Sequence, residues 1–225
     1  MKYQNIQKGV FCSRPNRFIA QVMIDGREET CHVKNTGRCK ELLIPGVTVY
    51  LEKAFNPKRT KKYDLVAFEK GERLINLDSQ APNRAFMEWG PLFFGESATI
   101  LPEKKFQNSR FDFFVTHCDG KKSFVEVKGV TLEQEGVVLF PDAPTERGVK
   151  HLKELCQCVK EGYGAYIFFV IQMENVKFFS PNENTHPEFA TALREAKHQG
   201  VRIYAVTCKV TPNEMKIRDF VDVVL

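Results

Sequence analysis

The first third of the chain reads as short apolar runs cut by turn residues. Arg17–Ile24 and Glu28–Val33 flank Asp25-Gly26, a dipeptide favoured in tight hairpin turns. Val47–Lys53 is a third run, and Tyr63–Glu69 and Leu74–Asp78 form a further pair around Lys70-Gly71-Glu72. Between the second and third runs, Thr36–Leu43 predicts a short helical piece closed by Ile44-Pro45-Gly46. Five short strands in about 80 residues predict a small barrel of OB type, an architecture that binds nucleic-acid strands across an open face.

The pattern changes near Ala81-Pro82-Asn83. A helix is expected there, with Asn83 as N-cap, Phe86, Trp89, Leu92 and Phe93 as apolar positions, and an interruption at Gly90-Pro91. Arg110–Thr116 and Lys122–Lys128 read as two strands joined by a turn. Thr145–Glu161 is the clearest helix: Val149, Leu152, Leu155, Cys156 and Val159 form its apolar stripe, and Gly162 stops it. Ala165–Met173 is apolar on both faces, as a central or parallel strand is. Helix Glu188–Gln199, strand Val201–Val206 and a last strand or edge in Met215–Leu225 complete an α/β domain with a mixed sheet. The expected division is a barrel over residues 1–82 and an α/β domain over 83–225.

Composition narrows the class. With 225 residues, 43% hydrophobic and 27% charged, the chain has the balance of an ordinary globular protein. No apolar run reaches the roughly 18 residues of a membrane span. The N-terminal segment lacks the apolar stretch of a secretory signal, so a cytoplasmic location is expected. Seven scattered cysteines without a CxxC pair predict reduced thiols and no zinc ribbon.

Charge adds more. The net charge of +5 is unevenly spread: residues 1–83 hold 15 Lys/Arg against 9 Asp/Glu, and residues 84–225 hold 18 against 19. A localised basic surplus is the footprint of a phosphate-backbone binder. Arg17, Lys34, Arg38, Arg59, Lys61 and Lys62 are the candidate nucleic-acid contacts, with Arg59–Lys62 placed at a loop tip. No helix-turn-helix or zinc finger is present to read base edges.

The candidate chemistry is a D…ExK constellation. Asp112 sits in Arg110-Phe-Asp-Phe-Phe, and Glu126 and Lys128 sit in Phe124-Val-Glu-Val-Lys. These charges interrupt strands that otherwise read as buried, and a buried charge is costly unless paired or bound to metal. Strand alternation puts Glu126 and Lys128 on one face. Asp112 joins them only in one register: a three-residue loop at Cys118-Asp119-Gly120 sets 112 opposite 126, whereas a two-residue loop sets it opposite Val127. Two carboxylates suit Mg²⁺ or Mn²⁺, which prefer oxygen ligands and leave positions for water and phosphate. A neighbouring ammonium stabilises developing charge. Downstream, Arg147, His151 and Glu154 recur at i, i+4 and i+7 as a polar stripe, and Asp142 precedes the helix. Asp142, Arg147 and His151 are candidate accessory residues.

With these residues in view, the chain resembles the sugar fermentation stimulation protein A (SfsA) family over nearly its full length. The resemblance rests on Arg17-Phe, His32-Val-Lys-Asn-Thr-Gly-Arg38, Asn108-Ser-Arg-Phe-Asp112, Glu126-Val-Lys-Gly-Val-Thr131 and Phe140-Pro-Asp-Ala-Pro-Thr-Glu-Arg-Gly-Val-Lys-His-Leu152. It implies an N-terminal OB-fold, a C-terminal PD-(D/E)xK nuclease-like domain, and DNA binding without sequence preference. It also implies that Asp112 stands for the motif's Asp and that Glu126 and Lys128 stand for its ExK. Phe111 replaces the motif's Pro. Such folds often add an acid from the first helix, for which Glu88 and Glu96 are the candidates. Two functions remain open: a metal-dependent nuclease, and a non-catalytic DNA-binding regulator linked to sugar (maltose) metabolism. The expected partner is DNA, with RNA left open, and no membrane.

Overall fold

Strand β1 (Ile6–Asn16) is eleven residues long and belongs to two sides of one barrel. In the computed structural model, which describes residues 1–35, 37, 43–56 and 58–225, β1 pairs with β2 (Ile19–Ile24) on one side. On the other it pairs with β4 (Thr48–Lys53). Register shifts between Phe11 and Ser13 and between Ser13 and Asn16 bend it around the core. β2 turns into β3 (Arg27–Val33) through Asp25 and Gly26, whose φ angles of 48° and 76° match the two-residue hairpin expected. β5 (Tyr63–Lys70) pairs with β4 and, in parallel, with β3 through His32↔Asp64 and Val33↔Leu65. That last pairing closes a five-stranded barrel around Phe11, Val22, Val33, Leu51 and Leu65. β6 (Arg73–Asn76) completes a hairpin with β5. The short helical piece expected at Thr36–Leu43 lies outside the described residues, except for Gly37 and Leu43.

Helix α1 (Ala81–Phe94) follows. Its N-cap position is Gln80, with Pro82 in the first turn, so Asn83 is not the cap the sequence suggested but a helical residue free to reach elsewhere. The helix also runs through Gly90-Pro91 instead of breaking there, and ends at Gly95, with φ of 96°. The second unit then adds β7 (Thr99–Phe106), β8 (Ser109–Thr116), β9 (Lys122–Val130), β10 (Glu133–Gln134) and β11 (Val137–Phe140). Next come α2 (Glu146–Lys160), β12 (Gly164–Ile171), β13 (Phe178–Pro181), α3 (Pro187–His198), β14 (Arg202–Thr211) and β15 (Glu214–Val221).

Six strands form one mixed sheet in the order β15-β14-β12-β9-β8-β7, with β12 parallel to both β9 and β14. Central β12 is buried on both sides, as its unbroken apolar run predicts. Ile167 and Phe169 pack with Leu152 and Leu155 of α2 and Leu193 of α3, whereas Phe168 and Val170 pack with Ala85 and Phe86 of α1. α2 starts at the expected cap: Thr145 Oγ1 accepts the Gly148 N–H at 3.1 Å. Among the described residues no helix is long and apolar enough to cross a membrane. The described cysteines are free thiols.

The two units are stitched together. The Asn76 N–H donates to Gln172 O at 3.0 Å, and the buried Gln172 amide donates to Asn76 O and Asp78 O. Gly129 is required beneath this contact, because a Cβ there would lie 2.6 Å from Gln172 Oε1 and 2.7 Å from Pro82 Cγ. The chain start folds back on the second unit: the Met1 ammonium bonds Glu88 Oε2 at 2.7 Å and Met215 O at 2.8 Å. Buried Glu133 takes Lys70 Nζ at 2.9 Å and Arg73 Nη1 at 2.8 Å from the β5–β6 hairpin.

Burial alone would raise the Glu133 pKa, but these cations and the Gly136 N–H hold it at about 2, below the ordinary 4.5. The folded pKa is therefore depressed. The stabilisation is present above pH 4.5 and fades as pH falls toward 2. Glu133→Gln is expected to lower stability at pH 7 by on the order of 2 kcal/mol. In thermal unfolding, the gap between wild type and variant should narrow between pH 5 and pH 3; a gap that is constant with pH would refute the linkage.

Candidate active site

The β8–β9 turn sets the site. The His117 N–H donates to Lys121 O at 2.8 Å, and Gly120 between them has φ of 78°. Phe113↔Val125, Phe114↔Phe124, Val115↔Ser123 and Thr116↔Lys122 follow. This is the three-residue-loop register, the one that sends Asp112 toward Glu126 and not toward Val127. Beyond Phe113 the strands part, and the Asp112 side chain bridges the gap: its Oδ2 accepts the Val127 N–H at 2.8 Å. Its Oδ1 accepts the Asn83 amide of α1 at 2.8 Å.

Glu126 is 2% exposed. Its Oε1 receives two donors, Lys128 Nζ at 2.6 Å and His151 Nδ1 at 2.5 Å. Arg147 Nε–H, a donor only, points at His151 Nε2 at 3.3 Å. His151 therefore carries its proton on Nδ1 and donates it to Glu126. Oε2 of Glu126 is buried and has no hydrogen-bond partner among the described residues.

The two carboxyls are driven in opposite directions. Burial raises the pKa of Asp112, the Glu126 charge adds to it, and the bonds from Val127 and Asn83 do not cancel it. Burial also opposes ionisation of Glu126, but there the His151 bond and the Lys128 charge prevail and hold it below the ordinary carboxylate range. Glu126 is thus the anchored anion, and Asp112 the carboxyl most in need of a cation. A divalent cation fits this donor set, since it would complete Glu126 Oε2 and relieve Asp112.

Other expected residues distribute unevenly. Arg147 and His151 join the site, while Glu154 lies one turn further along α2, 3.9 Å from Lys150. Asp142 is exposed and lines a cleft of about 350 Å³ that opens where Gly129 follows Lys128. Thr131 and Thr145 line it too, with Asn35 and Ser79 from the barrel side. Neither first-helix acid reaches the site: Glu88 is engaged by the Met1 ammonium, and Glu96 is exposed beyond the end of α1. α1 contributes Asn83 instead, a residue the sequence suggested only as a cap.

Among the barrel cations, Lys34 is drawn inward to Glu52, Asp64 and Asp78 at 3.4–3.7 Å. Arg59 makes a two-pronged bond to Asp64. Both thus pair with buried carboxylates in the folded protein. Arg17 is exposed in the β1–β2 turn, 4.9 Å over the Phe18 ring. Lys62 is exposed and Lys61 half-buried in the β4–β5 loop; Arg38 lies outside the described residues.

A closed five-stranded barrel followed by a mixed sheet with helices on both faces defines the class: an OB-type barrel joined to an α/β domain. A family model described as "SfsA N-terminal OB domain" matches residues 12–77, and one described as "Sugar fermentation stimulation protein RE domain" matches residues 80–214. The chain belongs to the SfsA family. It is 59% identical over 228 residues to the sugar fermentation stimulation protein homolog of Clostridium beijerinckii, covering 100% of both chains. It is also 59% identical to that of Desulfitobacterium hafniense strain Y51, covering 100% of this chain and 99% of the relative. Pyrococcus furiosus SfsA, solved in complex with Ca²⁺, superposes with a TM-score of 0.89 at 29% identity, covering 100% of this chain and 98% of that one.

Thermal unfolding tests the fit of a cation. At free Mn²⁺ of about 100 times its dissociation constant, wild type should gain about 2.7 kcal/mol, some 5–10 °C in a chain of this size. Glu126→Gln should lose most of that gain. An equal rise in both proteins would place the ion elsewhere.

Proposed function

We propose that this protein binds DNA through its phosphate backbone and that Asp112, Glu126 and Lys128 form a site for metal-dependent phosphodiester cleavage. The observation that carries this reading is the divided state of Glu126, with one oxygen saturated by Lys128 and His151 and the other buried and, among the described residues, unpartnered. A buried carboxylate oxygen left open costs stability unless something else completes it. Asp112 and Glu126 would hold Mg²⁺ or Mn²⁺; the Ca²⁺ found in the Pyrococcus furiosus relative is a cation of the same oxygen-seeking kind. When bound, such an ion lowers the pKa of its water and offsets charge on the phosphate.

The chain's own groups supply the rest. Lys128 Nζ, held at Glu126, places a positive charge beside the reacting phosphate. Arg147 is exposed and fixed through Nε to His151, which leaves the rest of its guanidinium to meet a phosphate oxygen. His151 and Asn83 act as positioning residues, one orienting Glu126 and the other Asp112. We assign backbone binding to the barrel, through Arg17, Lys61 and Lys62 on the loops that OB-folds use for oligonucleotides. Cleavage is assigned to residues 83–225.

A second reading, a DNA-binding regulator without catalysis, is favoured by one observation. Among the described residues no three His, Cys, Asp or Glu side chains converge to hold an ion. Cleavage assays separate the two. Labelled DNA and RNA, single- and double-stranded, are incubated with Mg²⁺, Mn²⁺ or EDTA. Cleavage by the wild type should require the metal and fall at least about 100-fold in Glu126→Gln and Lys128→Ala. Tight, salt-dependent binding with no cleavage under any metal would establish the regulator reading, and cleavage unchanged in both variants would exclude the assigned site.

A further inference from the structure

Counting charge over residues 1–83 and 84–225 assigns phosphate contact to the barrel, but the folded second unit carries a basic edge that the count conceals. β8 pairs with β9 only as far as Phe113↔Val125, yet it stays paired with β7 on to Phe106↔Ser109. Residues 102–112 therefore form a two-stranded ribbon beside Asp112. One side of the ribbon is anchored. Phe106 and Phe111 are buried against Phe124, Gln107 Nε2 donates to Glu161 at 2.9 Å, and Lys150 Nζ donates to Asn108 O at 3.4 Å.

The other side is exposed and basic: Lys105 and Arg110 face solvent directly opposite each other in the ladder, while exposed Lys104, opposite Phe111, lies 5.4 Å over the Phe114 ring at its flank. Like charges directly opposite in a cross-strand pair are destabilising. Glu103 answers Arg110 at 3.0 Å, but among the described residues no carboxylate is within ion-pair distance of Lys104 or Lys105. Glu103, which register would set opposite Asp112, has φ of 53° and drops out of the ladder. An anchored ribbon thus holds a cross-strand pair of exposed cations: Arg110, two residues from the candidate metal ligand Asp112, and Lys105, which has no ion-pair partner among the described residues.

We infer that the β7–β8 ribbon, through Lys105 and Arg110 with Lys104 beside them, is a contact surface for the DNA phosphodiester backbone that leads the strand past Asp112. The inference rests on the DNA-binding reading proposed above, but not on cleavage.

Its test is DNA binding measured in EDTA by fluorescence anisotropy across a salt series. Each phosphate contact contributes about 0.9 to the slope of log affinity against log salt for duplex DNA. Lys105→Ala/Arg110→Ala should lower the magnitude of that slope by about 1.8, and Lys105→Ala alone by about 0.9. Lys209→Ala, an exposed lysine on β14 toward the opposite edge of the sheet, should leave it unchanged. All four proteins should unfold at similar temperatures, because the substituted side chains are exposed. Slope and affinity unchanged in the double variant, while wild type binds, would overturn the ribbon surface alone. Failure of wild type to bind DNA would overturn both the ribbon and the DNA-binding reading. Cleavage enters neither outcome.

Discussion

A buried carboxylate must be neutralised, and Glu126 is neutralised on one oxygen only. Lys128 and His151 converge on Oε1, and among the described residues nothing donates to the buried Oε2. This asymmetry has a structural origin. Lys128 lies two residues along the same strand and therefore on the same face, while His151 descends from α2 above it. Arg147 fixes which histidine nitrogen carries the proton. The result is an anion with a defined open side, the property a hard cation selects.

The fold around it serves to keep the second carboxyl nearby. Asp112 has its charge penalised by burial and by Glu126, and it stays in place because Val127 N–H and the Asn83 amide hold it. Asn83 in turn depends on the start of α1, which Asp78 fixes: Oδ1 accepts the Gln80 N–H at 2.9 Å, and Oδ2 accepts the Arg84 guanidinium. Asp78 also lies against Lys34 of the barrel at 3.7 Å. Barrel and candidate site thereby meet at the start of α1, where part-buried polar bonds from Asp78 hold the first turn that carries Asn83.

Much of this was legible in the sequence. Gly120 and the turn before it fixed the register that turns Asp112 toward Glu126, and Thr145 with the apolar stripe behind it placed α2. What escaped the pattern did so for physical reasons. β1 is bulged twice, which breaks its alternation. β7 is an edge strand whose Pro102 and charged residues keep it exposed between buried Ile100 and Phe106, so it carries no alternation to read. The role of Asn83 was hidden because a cap and a side chain reaching a neighbouring strand look alike in one dimension. The pairing of Lys34 and Arg59 with Asp64 could not be read from spacing, because only folding brings Asp64 against both. A charge count weighs residues, and only the fold says which carboxylate has already claimed them.

The claim most exposed to test is that the open oxygen of Glu126 and the carboxyl of Asp112 share one divalent ion. Anomalous diffraction from crystals soaked in Mn²⁺ addresses it directly. A manganese peak is expected, bonded to Glu126 Oε2 and to an Asp112 oxygen at the oxygen-ligand distance of about 2.0–2.3 Å. A well-ordered crystal with Oε2 unligated, or with its only manganese bound away from both carboxylates, would contradict it.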